Sequence, residues 1–462
     1  MLSGGNGDGD GDDDGDDDEH EDRRRHASPS PVLVVAVDAL DFCTRVCTIH
    51  ASLPAAVGAQ RHTCVLVAVA AADDADSLTA PVVANSGGPD STCLLFLLAR
   101  YARTTPTRIL SWSLDHGLQP ASARWLAHTA RAAAALGVPH TASTLSWRGT
   151  PPAARLELAA RDARYAQLYA AMCAARAPVA ALGHHADDQV ETAVLRALRG
   201  SSERGLAGMA PCRRFGMGER GELGPGGMRR WIVRPLLPVS KDRILATCDA
   251  HGLDYVVDAT NFQPELTLRN AIRQAVKDRD PSPVRAARHL TSPAHPRAQI
   301  SRFDPSLTTA VIASRLSTHL DISQGAPALR DAVRELGRRA EALEDATTAA
   351  LRLCTLPSPP GTLVLAANVL RALAQPRSVA APSSLAHPHL TPLAQRALIT
   401  RALRFASPHP FGTLRAEAGR HGRSLARIAE RVFGEGEAGE GEGPGRQPAA
   451  PFSAGADVLW TP

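Results

Sequence analysis

Residues 80–198 alternate four times between a short apolar run and a longer segment with helical periodicity, and this alternation constrains the fold more than any other feature. The apolar runs are 80–85 (APVVAN), 107–115 (TRILSWSLD), 140–145 and 178–183 (PVAALG). The segments expected to be helical are 91–103, 121–136, 153–176 and 187–198. Strands joined through one intervening helix pair in parallel, and the helices then cover both faces of the sheet. The expected fold class is therefore α/β, with a Rossmann-like parallel sheet. Ligands bind such sheets beyond the carboxyl ends of the strands, so chemistry is sought in the residues that follow each run.

Three strand ends carry polar motifs. The first run leads into Ser86-Gly87-Gly88-Pro89-Asp90-Ser91 and then a helix. Glycines let the backbone approach a phosphate, and the helix N-terminus offers free N–H groups and a positive dipole end. The Ser86 and Ser91 hydroxyls add donors. Asp90 is a candidate Mg²⁺ ligand, since a carboxylate in a phosphate pocket is costly without a cation. No Lys follows the glycines, which excludes the G-x-x-x-x-G-K-S/T loop. The second run ends in Asp115-His116-Gly117, and the fourth in Gly183-His184-His185-Ala186-Asp187-Asp188-Gln189-Val190-Glu191-Thr192. Alone, the last block reads as a metal site, a phosphate-handling site, or a helix cap with Asp187 as N-cap. Three such corners on adjacent strands make simple capping a poor account of all of them.

At this point the motifs resemble a known family. Ser86 to Ser91 is similar to the pyrophosphatase-type PP-loop of ATP-dependent nucleotide-activating enzymes. Asp115-His116-Gly117, Arg164-Tyr165 and 183–192 resemble, in order and spacing, the tRNA(Ile)-lysidine synthase family. So do Leu198-Arg199-Gly200, Gly205-Leu206-Ala207-Gly208-Met209, Arg234-Pro235-Leu236-Leu237, Asp258-Ala259-Thr260-Asn261 and Arg269-Asn270-Ala271-Ile272-Arg273. The resemblance covers residues 81–273 and has no counterpart beyond 280. It implies a fold of the adenine nucleotide alpha hydrolase type and a ligase that modifies tRNA. ATP would adenylylate C2 of the wobble cytidine of tRNA(Ile) with a CAU anticodon, and L-lysine would displace AMP to give lysidine.

The resemblance also implies a site. Ser86, Gly87, Gly88, Pro89, Asp90, Ser91, Asp115 and His116 would bind ATP, with Asp90 and Asp188 holding Mg²⁺. Asp90, His184, His185, Asp187, Asp188, Arg269 and Arg273 would be catalytic. Asp115, Asp187, Glu191 and Asn270 would meet lysine or the cytidine. Two alternatives stay open: a tRNA 2-thiolation enzyme sharing the loop, and a non-catalytic tRNA-binding module. Thiolases of this type usually carry paired cysteines. The eight Cys here form no C-x-x-C, which also argues against a zinc or iron–sulfur site and for a reducing compartment. A ligase like GMP synthase or asparagine synthetase would lack the 184–192 block.

The rest of the chain is read by composition. The first 22 residues carry eleven acids and no Lys or Arg, so residues 1–30 are expected to be a disordered acidic tail. Residues 31–78 form an extension of uncertain structure, 79–280 the catalytic domain, 281–300 a Pro-rich linker, 301–433 a mainly helical region and 434–462 a flexible tail. In that helical region a 3/4 apolar spacing predicts helices over 328–353 and 393–405. Beyond the acidic tail the chain is basic, and only two of its 51 cations are Lys, namely Lys241 and Lys277. Arg binds phosphate through a planar fork, which suits a polyanion partner, although genomic base composition accounts for Arg enrichment equally well. Arg155, Arg161 and Arg164 on one helix, and Arg396, Arg401 and Arg404 on another, read either as solvated faces or as tRNA contacts. No apolar run approaches the roughly 18 residues of a membrane span, and the chain is expected to be soluble and intracellular. The choice between cytoplasm and mitochondrion stays open.

Overall fold

A computed structural model describes residues 80–277 apart from 106, 119–121, 148–155, 200, 202, 218–225, 228, 259–262 and 264–267. It also describes 320, 324–375 apart from 360 and 361, 389–407, 422–433, 451–453 and 458–460. The acidic tail, the extension over 31–78, the 281–300 linker and Arg155 lie outside the described residues.

The four expected strand–helix units are present: β1 (Val82–Ala84), α1 (Pro89–Thr104), β2 (Leu110–Asp115), α2 (Ser122–Ala135), β3 (His140–Thr144), α3 (Leu156–Ala174), β4 (Val179–Ala181) and α4 (Ala186–Leu198). They are followed by α5 (Glu203–Leu206), β5 (Cys212–Arg214), β6 (Trp231–Val233), α6 (Lys241–Ala250) and α7 (Leu268–Lys277). The sheet runs β3-β2-β1-β4-β6-β5. All neighbours are parallel except the edge pair β5–β6. From β1 the chain winds outward through β2 and β3, then returns to the other side of β1 as β4. That reversal is the switch point where a doubly wound sheet opens a crevice.

The pleat explains why short, fully apolar runs suffice. Val83 and Val179 face a layer formed with Leu94, Leu95 and Leu98 of α1 and Ile244 of α6. Their neighbours Val82 and Ala180 face the opposite layer, with Leu168 and Met172 of α3 and Ile232 of β6. Side chains alternate across a strand, so a strand covered on both faces must be apolar at every position.

The helical region begins with α8 (Gly325–Cys354), followed by the hairpin β7 (Thr355–Leu356) and β8 (Val364–Leu365). Next come α9 (Ala367–Ala374), α10 (Pro392–Ala406) and α11 (Gly422–Phe433). Leu329 and Val333 on the first half of α8 share a buried cluster with Val190 and Val194 of α4, Ile272 of α7 and Leu206 of α5. This helix is thereby packed onto the domain that carries the six-stranded sheet. Its second half packs on α9 and α10 through Ala350, Leu370, Ala394 and Leu398. The segment expected to be a flexible tail contains β9 (Phe452–Ser453) paired antiparallel with β10 (Leu459–Trp460), and Trp460 packs on the cluster of Ile399, Leu403 and Ile428. No helix among the described residues is long and apolar enough to cross a membrane.

Candidate active site

The loop after β1 is held open by its own hydrogen bonds. Asn85, only 1% exposed, accepts from the Gly87 N–H at 3.0 Å and the Ser91 hydroxyl at 3.3 Å through Oδ1. Its Nδ2 donates to Ser111 Oγ at 3.4 Å, and the Ser113 hydroxyl donates to its backbone oxygen at 2.6 Å. Ser91 Oγ also donates to Gly88 O at 3.0 Å and accepts from the Ser86 N–H at 3.1 Å. Gly87 sits at φ +80, and a Cβ there would come within 2.9 Å of Thr129 Cγ2, so both backbone and space require glycine. Pro89 follows as the first residue of α1, where its missing N–H is no loss. Asp90 stands in that first helical turn, 31% exposed.

The corner after β4 packs directly on this loop. A Cβ on Gly183 would lie 3.0 Å from the Asp90 carbonyl carbon and 3.1 Å from Ser91 N. His185, not Asp187, is the N-cap of α4. Its Nδ1 accepts from the Asp187 and Asp188 N–H groups at 3.2 and 3.4 Å, and its own N–H donates to Asp188 Oδ2 at 3.1 Å. With Nδ1 accepting, the neutral ring carries its proton on Nε2. That nitrogen lies 3.6 Å from Asp90 Oδ1 and 3.6 Å from Asp188 Oδ2. The two expected Mg²⁺ ligands thus converge on one histidine edge. No group of three or more potential ligands is formed among the described His, Cys, Asp and Glu residues.

Two cations missed by the sequence reading complete the corner. Lys241 Nζ donates to Asp90 Oδ1, and the Lys241 N–H donates to Asp187 Oδ2 at 2.8 Å. Lys241 had a signal that went unused, since it is one of two lysines among 51 cations. Arg330 of α8 donates through Nη1 to Asp187 Oδ1 at 3.0 Å and to Oδ2 at 3.3 Å. Nothing local signals a partner 143 positions away. Asp187 therefore ties α4, α6 and α8 together.

The acid and the arginines expected to meet substrate are paired with one another. Arg273 donates to both carboxylate oxygens of Glu191, at 2.7 and 3.2 Å, and Arg269 Nε lies 3.7 Å from Oε2. Burial, and next the Asp188 charge, push the Glu191 carboxyl above its ordinary value, against the pull of both arginines. Asn270, 8% exposed, donates to Gln263 O at 3.0 Å, a bond that fixes the approach to α7. Asp115, one strand from the switch point, accepts from the Gly117 N–H at 2.7 Å, and His116 O accepts from Trp147 Nε1 at 2.7 Å. Burial, and then Arg164, lower the His116 pKa. His184 is held well below the histidine range by burial and by Arg234, Arg164, Arg161 and Arg269, and its buried Nδ1 has no hydrogen-bond partner. It is neutral at physiological pH.

The Gly205–Met209 motif docks on this corner. Gln189 accepts from the Met209 N–H at 2.6 Å and donates to Met209 O at 2.9 Å. Cys93 and Cys248 are buried free thiols on α1 and α6 behind the loop, with Cys248 Sγ 3.6 Å from Pro89 O.

A loop after the first strand, presenting N–H groups at a helix N-terminus beside two convergent carboxylates at the sheet's switch point, defines a nucleotide-binding PP-loop domain. Residues 62–279 match the family described as PP-loop domain. Within that class, the matched part of the chain is similar to tRNA(Ile)-lysidine synthases. It is 37% identical over 238 residues to the tRNA(Ile)-lysidine synthase of Methylobacterium sp. (strain 4-46), covering 51% of this chain and 62% of that protein. It is 43% identical over 199 residues to that of Symbiobacterium thermophilum, covering 42% and 38%. The match therefore spans between 38% and 62% of these relatives' own length. Among solved structures, the U34-tRNA thiolase NcsA from Methanococcus maripaludis aligns with a TM-score of 0.40 at 12% identity, over 66% of this chain and 80% of that one.

Proposed function

We propose that the chain ligates L-lysine to C2 of the wobble cytidine of a tRNA(Ile) with a CAU anticodon, through an adenylylated tRNA. The observation that carries this reading is the contact of two corners: the PP-loop and the His185–Asp188 cap, packed together through Gly183, with Asp90 and Asp188 converging on His185 Nε2.

In the first half-reaction the cytidine C2 oxygen attacks the α-phosphate of ATP and pyrophosphate leaves. The N–H groups at the start of α1 would bind the departing phosphates, while the Ser86 and Gly87 N–H groups, held by Ser91 Oγ and Asn85 Oδ1, keep the loop in shape. Lys241, already on Asp90, brings a positive charge to the same place. Asp90 and Asp188 would hold Mg²⁺. One or two carboxylates completed by substrate phosphates and water are a usual ligand set for this ion, and it would supply further neutralisation of the leaving group. In the second half-reaction the lysine ε-amine attacks C2, the bond to AMP breaks, and the amine loses its protons. Asp187 and Asp115 are the carboxylates that would orient the ammonium and take a proton. The Glu191–Arg273–Arg269 cluster ties α4 to α7. Replacing Asp90 by Ala is expected to abolish ATP- and tRNA-dependent pyrophosphate release. Turnover retained in that variant would place phosphate activation elsewhere.

A further inference from the structure

Beside the PP-loop crevice, on α3, β5 and the approach to β6, arginines are laid over aromatic rings. The Arg161 guanidinium lies 5.2 Å and that of Arg213 5.7 Å from the centre of the Tyr165 ring, and that of Arg230 lies 5.2 Å from Tyr169. Phe215 packs edge-on against Tyr165 at 5.9 Å and tilted against Tyr169 at 5.4 Å, which makes the two tyrosines one platform. A guanidinium stacked on a ring has its orientation fixed while its N–H edge stays available to an anion. Arg213 and Arg230 donate to backbone carbonyls, of Arg214, Phe215 and Gly226, at 3.2 to 3.4 Å. Among the described residues no carboxylate forms an ion pair with Arg161, Arg213, Arg230 or Arg234. Arg234, 4% exposed, underlies the same surface, and burial pushes its pKa down to about 10.

The electrostatic result registers on neighbouring groups. Burial alone would raise the Tyr165 phenol, yet Arg161, Arg234, Arg213 and Arg164 outweigh it and the pKa falls. The same charges help to keep His184 neutral. Uncompensated like charge destabilises the compact state, and an arriving anion relieves it. ATP phosphates already have the loop donors of Ser86 to Ser91. Several stacked guanidiniums spread over two rings suit successive phosphates along a strand better than one compact polyphosphate.

We infer that Arg161, Arg213 and Arg230, stacked on Tyr165 and Tyr169, form a docking face for the phosphodiester backbone of RNA, holding it next to His184 and the PP-loop crevice. The inference rests on the RNA-substrate reading above. It gives a function to Arg161, whose helix reads from sequence as either a solvated face or an RNA contact.

The test is tRNA binding by fluorescence anisotropy over a salt series, for the full chain and for the variant carrying Arg161→Gln, Arg213→Gln and Arg230→Gln. Each lost phosphate contact lowers the slope of log K against log salt by about one, so the triple variant should lose about three while calorimetric ATP binding is unchanged. An unchanged slope overturns the docking face. So does a loss of ATP binding with tRNA binding intact, which would assign the arginines to the nucleotide. If the variant does not fold, phenylglyoxal labelling of the wild-type chain is read by mass spectrometry. Protection of these three arginines by tRNA supports the face, and equal labelling with and without tRNA overturns it. Lysidine formation by the wild type separates this from the function itself. A chain that makes lysidine with an unchanged slope in the variant loses only the docking face. A chain that makes none, yet loses the slope on substitution, keeps the face and loses the ligase reading.

Discussion

His185 performs two tasks with its two ring nitrogens, and the residue scale of this site is set by that division. Nδ1 caps α4 and Nε2 faces Asp90 and Asp188. Removing the ring in His185→Ala should cost about 1 kcal/mol in thermal or urea unfolding from the lost cap, and should also weaken ATP-dependent pyrophosphate release. His184 differs, because its pKa is depressed below the ordinary 6.5 by burial and nearby arginines. A depressed pKa contributes stability above pH 6.5, and that contribution is lost as the pH falls toward the folded-state value. Glu191, raised by burial and by Asp188, works in the opposite sense at lower pH. The informative quantity is therefore the difference between proteins: stability of the His184→Gln variant should fall less steeply than wild type between pH 7 and 5. Parallel slopes would show that His184 is not held neutral.

At the scale of elements, the close approach of two strand–helix corners builds the site. Gly183→Ala would put a methyl 3.0 Å from the Asp90 carbonyl carbon. The corner must then shift, at a cost of about 1–3 kcal/mol in stability, and ATP affinity measured by calorimetry should fall with it. The four strand–helix units were legible because strands buried on both faces are apolar throughout. β5 and β6 were not: Cys212–Arg214 is a polar edge strand, and Trp231–Val233 is an apolar triplet outside the fourfold alternation. The helices over 328–353 and 393–405 were legible from 3/4 spacing and appear as Gly325–Cys354 and Pro392–Ala406. Among site residues, the loop and the 183–192 corner could be read from their motifs. Asn85 was read as the end of an apolar run, and Lys241 and Arg330 act only through tertiary contacts at separations of 151 and 143 residues.

For the whole molecule, the contact that matters is between the sheet domain and α8. Leu329 is 1% exposed within a cluster that joins α8 to α4 and α7, and Arg330 beside it reaches Asp187. Leu329→Ala should cost about 2–5 kcal/mol and should lower activity by releasing Asp187 as well as stability. Unimpaired turnover at a temperature where the variant is folded would separate α8 from the site. The basic character of the chain beyond its first 22 residues fits a protein that meets a polyanion while keeping carboxylates in its crevice for cations. Everything proposed for the crevice rests on lysine ligation to tRNA. Its most direct test is mass spectrometry of the nucleosides of a tRNA(Ile) with a CAU anticodon after incubation with the full chain, ATP, Mg²⁺ and L-lysine. Lysidine at the wobble position, dependent on both ATP and lysine, is the expected product; thiocytidine, or unmodified cytidine in tRNA that the protein binds, would overturn the ligase reading.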